Sequence, residues 1–119
     1  MTAGRFPRMA GTPIDLESHT LVLLRRPVDA PDLPDEELDR LQDAHLAHLG
    51  GLRESGELLA AGPIGDQPDD SLRGMCFFAV GLDEAIELMS RDPSVRAGRL
   101  AIEAMTWFTP RGSVGFPTR

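Results

Sequence analysis

The sequence predicts a small α+β domain of the split βαβ, ferredoxin-like kind, with four antiparallel strands and two helices on one face of the sheet. Three observations carry that reading. Short apolar runs and amphipathic stretches succeed one another in the order β-α-β-β-α-β. A chain of 119 residues has room for one such domain and no second lobe. The third apolar run shows no polar alternation, which asks for cover on both sheet faces.

The elements follow in chain order. Residues 1 to about 17 hold Gly, Pro and Thr without periodicity and read as an N-terminal extension, either disordered or draped over a neighbour. The run at 19–25, ending in Arg25-Arg26-Pro27, is the first strand, and residues 28–34 form a Pro- and Asp-bearing loop. Pro34 opens a helix whose first turn carries Asp35, Glu36 and Glu37, where carboxylates meet the positive end of the helix dipole. Leu38, Leu41, His45, Leu49 and Leu52 then recur at steps of 3, 4, 4 and 3, so they share one face. Gly56 stands where a glycine cap stops the helix.

The second strand spans residues 57–62 and closes on Gly62-Pro63; an acidic loop with Asp66, Asp69 and Asp70 leads into the third strand at 74–80. A second helix is expected at 82–90, with Leu82, Ile86 and Met89 on one side and Asp83 as its cap. Asp92-Pro93 ends it, because a residue before proline avoids the α region. Residues 94–98 read as a tight turn, and 100–108 as the last strand. A four-stranded sheet with helices on one side leaves its other face bare, and a second copy packing there covers it at least cost in new structure. The expected organisation is an extension over 1–17, a domain over 18–110 and a tail over 111–119.

Composition excludes several function classes. Nineteen acids against twelve basic residues leave a net charge of −7, which disfavours a polyphosphate partner, so nucleic acid is not expected. No window approaches a membrane span and the N-terminus lacks a secretory apolar region, so the expected compartment is the cytoplasm. The single cysteine, Cys76, lies in an apolar run, where a buried, inert thiol is expected.

Three stretches carry a resemblance. They are His45-Leu46-Ala47-His48-Leu49, Leu58-Leu59-Ala60-Ala61-Gly62-Pro63, and Asp92-Pro93-Ser94-Val95-Arg96-Ala97-Gly98. In this order and spacing, over about residues 19 to 109, the chain resembles the YCII-related family. The resemblance implies a dimeric α+β barrel of ferredoxin-like subunits. It also implies an active site marked by a helix histidine and an aspartate, which fall on His45 and Asp92. A dehydrochlorinase of a chlorinated aromatic is among the family's members. The acidic loop at 64–73 is poorly matched, so contacts made by it do not carry over.

The residues themselves leave two readings open. His45 lies at the centre of an apolar stripe, where burial favours the neutral imidazole that a general base needs; it is equally a core histidine bonded to a strand carbonyl. Asp92 is either a turn-starting residue or the carboxylate that orients His45 and fixes its tautomer. His48, one turn from His45, is placed at the edge of the stripe, because a metal site needs further donors that are not at hand. The three loop aspartates read as solvated charge rather than a hard-cation site. Pro63 would line the mouth of a pocket and bring Asp66 near a substrate, while Arg25 and Arg26 either attract an anion or solubilise an edge. The first reading is a small-molecule enzyme, lyase- or hydrolase-like, using His45 and Asp92 for general acid/base chemistry with no metal or organic cofactor. The second is a non-catalytic dimeric module that binds a small ligand or a partner protein. In a third, the extension at 1–17 recruits a partner.

Overall fold

The computed structural model of the chain describes residues 15–117, together with the backbone of 8–9 and 12–13. Strands β1 (Arg8–Met9) and β2 (Thr12–Pro13) pair as a minimal antiparallel hairpin. Of the expected extension, residues 15–17 are described and the latter two belong to β3, while 1–7, 10–11 and 14 lie outside the described residues.

The main sheet holds β3 (Leu16–Arg25), β4 (Leu58–Pro63), β5 (Leu72–Phe78) and β6 (Ala101–Pro110), in the order β4-β5-β3-β6 with every neighbouring pair antiparallel. Helix α1 (Asp35–Glu54) joins β3 to β4 with β5 inserted between them, and α2 (Leu82–Ser90) joins β5 to β6 with β3 inserted. That is the split βαβ connection, used twice, and it defines the ferredoxin-like fold.

Helix α1 begins one residue after Pro34, whose extended backbone (ψ 150°) feeds the acidic first turn. Its predicted stripe faces inward. At its end Gly56 takes φ 85°, its N–H donates to the Arg53 carbonyl and the Glu57 N–H to the Leu52 carbonyl. Both bonds belong to a Schellman stop, which needs a residue free to adopt positive φ.

Side chains alternate across the strands, and one face carries the core. Val22, Leu24, Cys76 and Phe78 from the sheet pack with Leu52 of α1 and Ala85, Leu88 and Met89 of α2. Thr20, buried on the same face, donates its hydroxyl to the Val80 carbonyl at 2.7 Å. At Gly74 an added Cβ would stand 3.0 Å from the Gly62 carbonyl oxygen, so a side chain on that face would fit only if the β4 backbone gave way by a few tenths of an ångström.

Strand β5 buries Gly74, Cys76 and Phe78 on one face and leaves Met75 and Phe77 half-buried on the other, which a single copy with helices on one side does not cover. Two local expectations are corrected. Residues 94–98 are not a simple turn, because a one-turn helix, α3 (Pro93–Arg96), stands there. The cap position of α2 is Gly81 rather than Asp83, which sits inside the first turn and makes no side-chain cap bond. Asp83 still lies where the dipole favours a negative charge.

The ends of the domain run further than the apolar runs. Strand β3 starts at Leu16, and Leu16 and Glu17 pair with Pro110 and Thr109 of β6. Beyond β6, Arg111 forms an ion pair with Asp15 at 3.0 Å, and Phe116 meets the ring of His19 edge-on at 5.2 Å. The chain therefore returns across the start of β3.

Candidate active site

The site is built where α1 and the α2–α3 junction meet above the sheet. His45 projects from the middle of α1 and is 8% exposed; Asp92 is fully buried at the N-terminus of α3. Asp92 Oδ2 accepts the backbone N–H groups of Ser94 (3.1 Å) and Val95 (3.2 Å), so the side chain caps the short helix. Its other oxygen, Oδ1, is 2.8 Å from Nδ1 of His45. Backbone N–H groups can only donate, so they hold the carboxylate as an acceptor, and Nδ1 then carries the proton it shares with Oδ1. In the neutral ring that leaves the lone pair on Nε2, which has no hydrogen-bond partner among the described residues.

Beside the ring lies a cavity of about 390 Å³, walled by α1 through His45, Leu46 and Leu49 and by the sheet through Leu24, Gly74 and Cys76. Leu100 closes it from the start of β6, and Arg26 and Arg73 stand at its wall. Apolar walls with a few polar groups are the ordinary make-up of a small-molecule site.

The other residues singled out in the sequence fall as follows. Pro63, at the end of β4, lines the cavity; Asp66, in the following loop at φ 59°, is exposed and does not line it. His48 turns away from His45 and donates Nε2–H to the Leu88 carbonyl at 2.9 Å, tying α1 to α2. Asp69 accepts from Ser71 N (2.9 Å) and Ser71 Oγ (2.6 Å) and pairs with Arg25 at 2.9 Å, so its oxygens are engaged within the loop. Among the described residues no group of carboxylates, histidines or cysteines is arranged to hold a metal ion. Arg25 also pairs with Glu103 and serves the sheet rather than the cavity. Among the described helices none is long and apolar enough to cross a membrane.

Sequence reasoning missed two things. One is the cap: Asp92-Pro93-Ser94 has an N-cap aspartate followed by proline at the first helical position, a recognisable helix start. The other is the separation of Arg25 from Arg26, which only the pleat of β3 and the turn after it decide.

Cys76 lines the same cavity, but burial, and secondarily the charge of Asp92, push its thiol up to about 12. It is not a nucleophile at neutral pH. The native protein is expected to resist iodoacetamide at pH 8 and to be alkylated only when unfolded; rapid labelling of the native state would contradict that assignment. The sign of the linkage follows. Above the ordinary thiol value of 9.0 the unfolded chain releases this proton and the folded chain keeps it. Stability therefore falls with rising pH, by up to about 1.4 kcal/mol per unit, until the pH nears the folded value.

A ferredoxin-like α+β domain with a buried His–Asp pair beside an apolar cavity is thus the class that fold and site define. The chain belongs to the YCII-related family, whose domain matches residues 21–109. Among solved structures it is similar to 5-chloro-2-hydroxyhydroquinone dehydrochlorinase (TftG) from Burkholderia phenoliruptrix AC1100, in complex with 2,5-dihydroxybenzoquinone. The identity is 24%, covering 74% of this chain and 92% of that one, at a TM-score of 0.48. That likeness is too loose to bear on substrate or reaction. No curated protein matches the chain.

Proposed function

We propose that this protein is a small-molecule enzyme in which His45 is the general acid/base and Asp92 is its positioning residue. One observation carries the reading: the 2.8 Å contact of His45 Nδ1 with Asp92 Oδ1, on a carboxylate whose second oxygen is held by two backbone N–H groups. An imidazole held in one tautomer beside a cavity can take a proton through Nε2 and return it. Proton abstraction, elimination or hydrolysis all fit, which makes the enzyme lyase- or hydrolase-like. Pro63 would help shape the substrate's side of the cavity; Asp66 stands in the loop beyond it and does not line it.

The working form we propose is a homodimer. Leu21, Leu23, Met75, Phe77, Met105 and Trp107 share the sheet face that no helix covers, as strand register and alternation dictate. A second copy would bury that face and finish the barrel.

The rival reading is a non-catalytic ligand- or partner-binding module, in which the pair serves only to dock α3 onto α1. Opening of 5-nitrobenzisoxazole separates the two, since it needs a base in an apolar pocket and little else. His45→Gln is expected to lower that rate by about 10²-fold or more. The thermal midpoint and the oligomeric state should stay close to those of the parent. A variant that keeps the parent rate, or one that loses its fold along with it, favours the module.

A further inference from the structure

We infer that the cavity takes a small organic carboxylate, held by Arg26 with Arg73 and Arg99 alongside. This deepens the acid/base reading and rests on it for the reaction, although the binding itself needs no proton transfer.

The basic residues of this chain are all arginine, twelve of them with no lysine, in a protein of net charge −7. Several are paired: Arg25 with Asp69 and Glu103, Arg91 with Glu87, Arg111 with Asp15. Arg26, Arg73 and Arg99 are joined to no carboxylate by an ion pair among the described residues, as are Arg40, Arg53 and Arg96, but only the former three line the cavity or the recess beside it. Arg73 donates to the Asp70 carbonyl and Arg99 to the Pro31 carbonyl, which positions the side chains without neutralising them.

The three converge. Arg26 and Arg73 share the cavity wall with His45, and Arg26 and Arg99 line an adjoining recess of about 240 Å³. Asp39 borders that recess without forming an ion pair. Residues 1–14 contain no acid that could reach over from the N-terminal segment.

Arg26 carries the argument furthest. Its Nε is buried and has no hydrogen-bond partner among the described residues. Burial lowers its pKa from the ordinary guanidinium value, and the charges of Arg99 and Arg73 lower it further. A buried donor with no acceptor is costly, and like charges without a counterion repel. An anion in the cavity answers both. A guanidinium presents a planar fork that matches the two oxygens of a carboxylate, while the Leu24, Leu46, Leu49 and Leu100 walls suit an apolar body. Held so, the ligand's carbon skeleton faces the wall that carries His45.

The test is calorimetric titration of the full chain with benzoate and with benzamide, which share a ring and differ in charge. Benzoate should bind roughly tenfold tighter or more, as hydrogen bonds to a charged group predict. Arg26→Gln should weaken benzoate by about tenfold, and Arg73→Gln, at an exposed side chain, by a few-fold. Arg25→Gln changes net charge equally and should leave affinity within about twofold. Equal binding of the two probes, or no benzoate binding up to about 20 mM, overturns the proposal. So does an Arg25→Gln loss equal to that of Arg26→Gln. If Arg26→Gln does not fold, the amide comparison and Arg73→Gln decide. His45→Gln keeps the two proposals apart. Benzoate bound by a protein whose base activity ignores His45 sinks the acid/base reading alone, whereas His45-dependent activity without benzoate binding sinks this one alone.

Discussion

Replacing Asp92 with alanine is expected to cost about 2.5–4 kcal/mol of stability, combining a lost helix cap of about 1 kcal/mol with a lost buried bond to a charged group of about 1.5–3 kcal/mol. The side chain is fully buried and serves three donors, so its removal strands the Ser94 and Val95 N–H groups and His45 Nδ1 at once. Asparagine at the same position separates structure from chemistry. Its amide oxygen can still cap α3, so stability should fall by only about 1 kcal/mol. Its amide NH2, however, would face Nδ1 as a donor. The ring must then present its lone pair there and carry the proton on Nε2, where it cannot act as a base. Turnover of 5-nitrobenzisoxazole should drop by roughly 10²–10⁴-fold, close to the loss in His45→Gln. Urea denaturation, the rate, and the ¹⁵N pattern of the imidazole read the three consequences separately. An Asp92→Asn protein with the parent rate and a flipped tautomer would show that the pair does not act in catalysis.

Phe78→Ala should be the most disruptive substitution in the apolar core. Phe78 has no exposure, stands at the end of β5 and pairs across to Thr20 and Leu58 on the strands at either side. Its ring fills the space between the sheet and the helices, and neither β3 nor β4 can move in without breaking the ladder. A truncation there is expected to cost about 3–5 kcal/mol, the sum of lost transfer energy and an unfilled cavity. A domain of this size has a total stability of about 5–15 kcal/mol, so the thermal midpoint should fall on the order of 10 °C or more. Phe77→Ala is the informative contrast, because Phe77 lies on the sheet face away from the helices, beside Trp107 and Phe116 of its own chain. If that face is covered by a second copy, Phe77→Ala should lower the stability of the protein in a concentration-dependent way, and analytical ultracentrifugation should register more monomer. A Phe77→Ala protein with unchanged association would remove that face from the interface.

The split βαβ order and the extent of α1 were legible in the sequence because they rest on local signals. The 3-4-4-3 spacing from Leu38 to Leu52, the acids after Pro34 and the glycine at 56 each report on their own few residues. His45 was legible as an oddity for the same reason, a titratable group in an apolar stripe. Asp92 was harder. Its position before Pro93 explains a turn without any reference to His45, and a separation of 47 positions along the chain carries no information on distance. Asp83 misled because an acid near a helix start serves the dipole as well as it serves a cap, and only the backbone of Gly81 distinguishes the two.

The sequence by itself determined the four long strands and the two long helices, where α1 stops, and that Cys76 and His45 belong to apolar surroundings. These are decided by periodicity, capping and transfer from water, which act over a few residues. The tertiary structure alone decided that Asp92 meets His45 while His48 turns to Leu88, that Pro63 lines the cavity while Asp66 does not, and that Arg26 enters the site while its neighbour Arg25 pairs at the sheet edge. Each of these depends on how elements far apart in the chain are superposed. That superposition is set by the packing of whole helices on a twisted sheet, a property no local window contains.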